Sequence, residues 1–235
     1  MINIAVINES TSITDADVQL MMLALQTQWN RDLGPVWNVE QAFLAFVPKG
    51  QSPVPRSWWL VFLDNSDQAG ALAYHDLTNE GLPISKVFVK TLLADGANVS
   101  VGASHEMCEM AVDPTINLGA QDSQGLFWAY ETADPCEDDQ YGYKIGDTLV
   151  TDFITPAWFG FAYSAGKPTD FMGHTSKPFE VLSGGYAQHF DSNHGWQQIT
   201  GSKARTMAKA LIAPGSRRER RVRNANNFRL STHKF

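Results

Sequence analysis

Cysteine is nearly absent: the 235 residues contain two, Cys108 and Cys136. Two cysteines cannot make a disulfide framework, which favours a reducing site of synthesis. Also missing is any apolar run near the roughly 20 residues needed to cross a bilayer. The opening Met1-Ile2-Asn3-Ile4-Ala5-Val6-Ile7 has no basic stretch ahead of an apolar core. It reads as a first strand and not a signal peptide, so a cytoplasmic location without membrane contact is expected. Charged residues are 18% of the chain and hydrophobic ones 43%, which suits a buried core in one large domain or two lobes. Basic side chains are scarce over most of the length. Seven of the 18 Lys and Arg lie in Ser216–Phe235 beside one acid, Glu219, leaving 11 basic against 24 acidic residues in 1–215. An acidic body thus carries a basic arm.

What is present, and organises the rest, is Ser104-His105-Glu106-Met107-Cys108-Glu109-Met110-Ala111-Val112-Asp113-Pro114. On a helix, His105 and Glu109 project from one face a single turn apart. That is the spacing at which two side chains of one helix grip one metal ion. Glu106 lies beside His105, where a carboxylate can take a proton from a metal-bound water. The H-E-x-x-H form of this device uses two histidines. Here Glu109 replaces the second, and a carboxylate oxygen is an accepted zinc donor. Ala103, Met107, Cys108 and Ala111 give the helix an apolar back. Asp113 continues the polar side, and Pro114 stops the helix. A carboxylate cluster follows in Glu131-Thr132-Ala133-Asp134-Pro135-Cys136-Glu137. It supplies candidates for the third protein ligand that a zinc site requires.

Along the chain, Thr14 and Asp17 form a variant capping box for a helix over about 15–31, with Val18, Met21, Met22, Leu25 and Trp29 as its apolar stripe. Leu33-Gly34-Pro35 is expected to end it. Gln41–Val47, Ser57–Leu63 and Gly70–Leu77 read as strands, the second central. Ile84–Leu92 reads as strand or loop. Thr115–Gly125 is turn-like, and Glu137-Asp138-Asp139 is expected to face solvent. Residues 141–150 read as a hairpin. Residues 160–200 lack a helical period, with turns at Gly184-Gly185-Tyr186 and Gly195-Trp196, and Ser202–Ile212 reads as a short helix. Cys108 and Cys136 are expected as buried thiols, a disulfide or thiolate ligand being the alternative.

Strand, helix, several strands and then the motif helix is an order that resembles the upper lobe of zincin proteases. The pattern H-E-x-x-E-x-x-x-D-P followed by E-x-x-D-x-C is similar to that of H-E-x-x-E zincin-like proteins of bacterial and phage genomes, and to the exordium-like group. The matching residues are His105, Glu106, Glu109, Asp113, Pro114, Glu131, Asp134 and Cys136. The resemblance implies an α+β fold. A mixed N-terminal sheet with the metal-binding helix would occupy 1–114, an irregular β-rich lobe with the third ligand 115–213, and the basic tail 214–235. It implies a metallopeptidase with Glu106 as general base and metal on His105, Glu109 and a later carboxylate, in the order Glu131, Asp134, Asp113. With Glu131 bound, Asp134 would orient His105. It also implies a sheet-edge strand that pairs with an extended peptide or protein substrate, Gly70–Asp76 ahead of Lys86–Thr91. His75, within that strand, is read as a surface histidine, and Tyr141 or Tyr143 is a candidate oxyanion donor.

Thr115 stands where a metzincin would carry its third histidine, which excludes that subclass. One histidine with two carboxylates makes a hard site, open to manganese, calcium or iron as well as zinc, with a less acidified water. The competing reading is a structural virion protein that keeps the fold without turnover, its basic tail an arm for an assembly partner or nucleic acid.

Overall fold

The computed structural model describes residues 1–67, 71–202 and, by backbone, 229–230. The first half is a five-stranded mixed sheet. Its members are β1 (Ile2–Asn8), β2 (Ala42–Val47), β3 (Trp58–Leu63), β4 (Ala73–Leu77) and β5 (Pro83–Phe88), in the order β2-β1-β3-β5-β4. β3 is central, as its unbroken apolar sequence requires of a strand covered on both faces. The first four strands of that order run parallel, and β4 lies antiparallel to β5 at the edge.

Helix α1 (Asp15–Thr27) opens on the Thr14–Asp17 capping box. It buries Val18, Met21 and Leu25. The chain does not leave the helix at Leu33-Gly34-Pro35. A π-turn, Gln28–Leu33, leads into α2 (Gly34–Trp37), where Pro35 sits in the first turn, and Asn38 at φ 52° ends the element. The residues ahead of Pro35 are already helical, and the wider π-turn before it makes space for the ring where a regular α-turn would clash. The stretch read as strand or loop divides into β5 and a short helix, α3 (Val89–Ala94).

Helix α4 (Val99–Val112) carries the motif and packs across β5 and β4. Its start is tethered by Asp139, whose Oδ2 accepts from the Asn98 backbone N–H at 2.9 Å and side-chain amide at 2.6 Å. The acidic run 137–139 is accordingly half-buried and not a solvated face. Beyond α4, β6 (Leu118–Gln121), β7 (Phe127–Ala129), β10 (Tyr186–Asp191) and β11 (Gly195–Thr200) form a second sheet, in the order β11-β10-β7-β6-β12. β12 is Arg229–Leu230, which pairs parallel with β6. A hairpin, β8 (Tyr143–Ile145) and β9 (Thr148–Val150), turns at Gly146. The stretch read as turn-like thus contains a strand, β6. One continuous core joins the halves, from Ile4 and Leu60 through Met107 and Cys108 to Trp128 and Trp158. Cys108 and Cys136 are free, buried thiols within it. The expected helix at 202–212 and the body of the basic tail fall outside the described residues.

Two aspartates close the loops under the second half. Burial, then the neighbouring Asp170 carboxyl, pushes the Asp152 pKa up to about 9, while Asp170 is held below the usual range by Asp152 and by the backbone N–H groups of Thr175 and His174 in spite of burial. The pair therefore shares one proton at neutral pH. Unfolded Asp152 loses that proton near pH 4, so the native chain binds the extra proton between about pH 4 and 9. Stability should fall with rising pH across that window, by up to about 1.4 kcal/mol per unit, and level off above it. Asp152→Asn keeps a donor to Asp170 and removes the titration. It should be more stable than wild type at pH 8 and give a flatter slope in urea denaturation from pH 5 to 8.

Candidate metal centre

The polar face of α4 is as buried as its apolar back. Glu106 is 3% exposed, Glu109 0% and His105 8%. A helix buried all round must satisfy its ionisable groups internally, and here they face one another. His105 Nε2 lies 3.1 Å from Asp134 Oδ1, 3.3 Å from Glu109 Oε1 and 3.9 Å from Glu106 Oε1. Ligand atoms about 2.1 Å from one ion, at tetrahedral or cis-octahedral angles, lie roughly 3.0–3.4 Å apart. His105 has that spacing to both Glu109 and Asp134, and one ligand atom from each of the three lies within 4.8 Å of the others. One imidazole N–H points in one direction and cannot serve three oxygens, whereas a cation can. Burial alone would lower the His105 pKa. The charge of Glu109, the bond to Asp134 and the charge of Glu106 outweigh it and hold the imidazole well above its usual range.

The carboxylate grouped with His105 and Glu109 differs from the expected order of preference. Glu131 does not group with His105; Asp134 does. Glu131 groups with Glu109 and His75. Asp113, the last candidate, serves the backbone: its oxygens accept from the N–H groups of Asn117 at 2.9 Å and Leu118 at 3.0 Å. It closes the turn after α4 and belongs to neither set.

His75 is the residue that sequence reasoning misplaced. It is fully buried, not on the surface. On β4 it stands opposite Ser85 of β5, beneath α4, and Ser85 donates to the Glu106 carbonyl at 3.3 Å. Its Nδ1 lies 3.3 Å from Glu106 Oε2 and 3.4 Å from Glu109 Oε2. Strand alternation gave no clear signal: Ala73 and Leu77, on the face of His75, are half-buried, while Tyr74 and Asp76 on the opposite face are buried. β4 is also the edge strand, which decides between the two segments considered for that place.

Neither tyrosine is held at the cluster by its recorded contacts. Tyr143 donates its hydroxyl to Asp32 Oδ2 at 2.8 Å, and burial followed by that bond pushes its pKa far up. Tyr141 packs its ring against His174. The cysteines are not ligands in either set. Burial, then the charges of Glu109 for Cys108 and Asp152 for Cys136, keeps both as thiols.

Asp134 is placed by a tight backbone contact. It opens a single 3₁₀ turn with Pro135 and Cys136, and the loop before β10 presses on that turn. A Cβ on Gly185 would lie 2.5 Å from the Pro135 carbonyl oxygen and 2.7 Å from that of Asp134. Gly185→Ala must therefore displace the turn that delivers Asp134. We expect a loss of metal affinity of about 10–100-fold, as for a disturbed supporting contact, measured by competition with a chromogenic chelator.

No family model, curated protein or solved structure matches this chain. The chemistry is therefore read from its own residues.

Proposed function

We propose that the protein is a metal-dependent peptidase of zincin type, its metal held by His105, Glu109 and Asp134, with Glu106 as general base. The observation that carries this reading is the convergence of Glu109 Oε1 and Asp134 Oδ1 on His105 Nε2 at 3.3 and 3.1 Å, with Glu106 next along the helix. The order of elements supports it too: a mostly parallel sheet whose antiparallel edge strand lies beside the motif helix. A metal at this point supplies a Lewis acid and lowers the pKa of water. Glu106 accepts the proton from the attacking water at Oε1 and returns it to the leaving amine. Among the described residues no strand pairs with the outer edge of β4. That edge can align an extended peptide by main-chain hydrogen bonds. The donor set is rich in carboxylate, so manganese or iron competes with zinc for it.

A second reading, a cation that only stabilises the fold, is favoured by one observation: Glu109 and Asp134 are both 0% exposed. It joins the proposal of a structural, virion-type protein with a basic arm. Metal analysis together with mass-spectrometric cleavage of a peptide library, for wild type and Glu106→Gln, separates the two. Bound metal with cleavage that depends on Glu106 supports the peptidase. Bound metal with no cleavage leaves the structural reading.

A further inference from the structure

We propose that the cluster takes a second divalent cation, held by His75, Glu109 and Glu131, with the Glu109 carboxylate bridging the two ions. The proposal rests on the reading that His105 and Glu109 hold the first. Two three-residue sets have metal-ligand spacing, and Glu109 belongs to both. Its two oxygens are divided between them: Oε1 faces His105 Nε2 at 3.3 Å, and Oε2 faces His75 Nδ1 at 3.4 Å. A carboxylate that presents one oxygen to each of two ions is the usual bridge in sites whose metals lie about 3.5–4 Å apart.

The second half of the cluster repeats the geometry of the first. His75 Nδ1 lies 3.4 Å from Glu109 Oε2, the spacing of neighbouring ligands around one ion, and 3.3 Å from Glu106 Oε2, so the Glu106 carboxylate borders both positions. A single N–H would favour one of the two oxygens. His75 and Glu131 are 0% and 4% exposed, and they arrive from separate elements, edge strand β4 and the segment after β7. One nitrogen among carboxylate oxygens selects borderline or hard ions such as Mn²⁺, Fe²⁺ or Zn²⁺ over soft ones.

The test uses the full chain, stripped of metal, reloaded with Mn²⁺ and desalted. Metal per chain is read by elemental analysis, and coupling between ions by low-temperature electron paramagnetic resonance. Wild type should hold two Mn²⁺ with an exchange-coupled signal. His75→Ala should hold one, with an uncoupled six-line signal, and Glu131→Gln should do the same. If His75→Ala does not fold, Glu131→Gln decides. Wild type with one ion, unchanged by either substitution, overturns the second site and leaves the first. Two ions in wild type and in both variants also overturn it, since the second ion then sits elsewhere. No bound ion in wild type overturns both readings together.

Discussion

Glu109→Gln abolishes metal binding and the thermal stabilisation that accompanies it. Among the described residues no other side chain faces both histidines from a place in both candidate sets. Glutamine keeps the shape but has one carbonyl oxygen and no charge, so it can neither bridge nor neutralise a cation. Disturbing a contact that merely supports a ligand costs about 10–100-fold in affinity. Loss of a shared ligand should cost at least the upper end of that range. For wild type, metal at about 100 times its dissociation constant adds roughly 2.7 kcal/mol. In a chain of this size that is a rise of about 5–10 °C in Tm. Differential scanning fluorimetry with and without Mn²⁺ or Zn²⁺ should show the rise in wild type and none in Glu109→Gln. An equal rise in both would remove Glu109 from the site.

Glu106→Gln lowers peptide hydrolysis by about 10²–10⁴-fold and leaves the metal in place. Glu106 is 3% exposed and lies beside His105, its Oε1 3.9 Å from Nε2, farther than either proposed ligand oxygen of that set. At His105 that distance suits a group that works on a water at the ion better than one bound to the ion, while Glu106 Oε2 lies 3.3 Å from His75 Nδ1. Glutamine can still accept a hydrogen bond from the water but cannot remove its proton. The measurement is single-turnover cleavage of the best library peptide, with metal content determined on the same sample. Full activity in Glu106→Gln would remove it as the base. Loss of metal in that variant would make Glu106 a ligand instead.

The motif helix was legible because the information is local. His105, Glu106, Glu109 and the stop at Pro114 lie within one short stretch, and α4 spans Val99–Val112. The central place of β3 was legible from its apolar run. The pairing of ligands was not, because it depends on how 131–136 folds back over α4. Glu131 and Asp134 are three residues apart, and sequence gives no register for an irregular segment. Only the 3₁₀ turn at Asp134–Cys136, pressed by Gly185, brings Asp134 to His105. His75 was misread for a related reason. Burial of a polar residue on an edge strand depends on what covers the sheet there, and the cover is α4, which comes later in the chain. The early end expected for the first helix reflects the two meanings of proline. Pro35 would break a regular α-helix in its interior, and here the π-turn ahead of it lets the helical run continue to Trp37.

Anomalous diffraction from crystals equilibrated with Mn²⁺ or Zn²⁺ goes straight to the question of whether this cluster is a metal centre. We expect a peak about 2.0–2.2 Å from His105 Nε2 and from an oxygen of both Glu109 and Asp134. A difference map without that peak, or with the ion bound away from His105, would contradict the assignment.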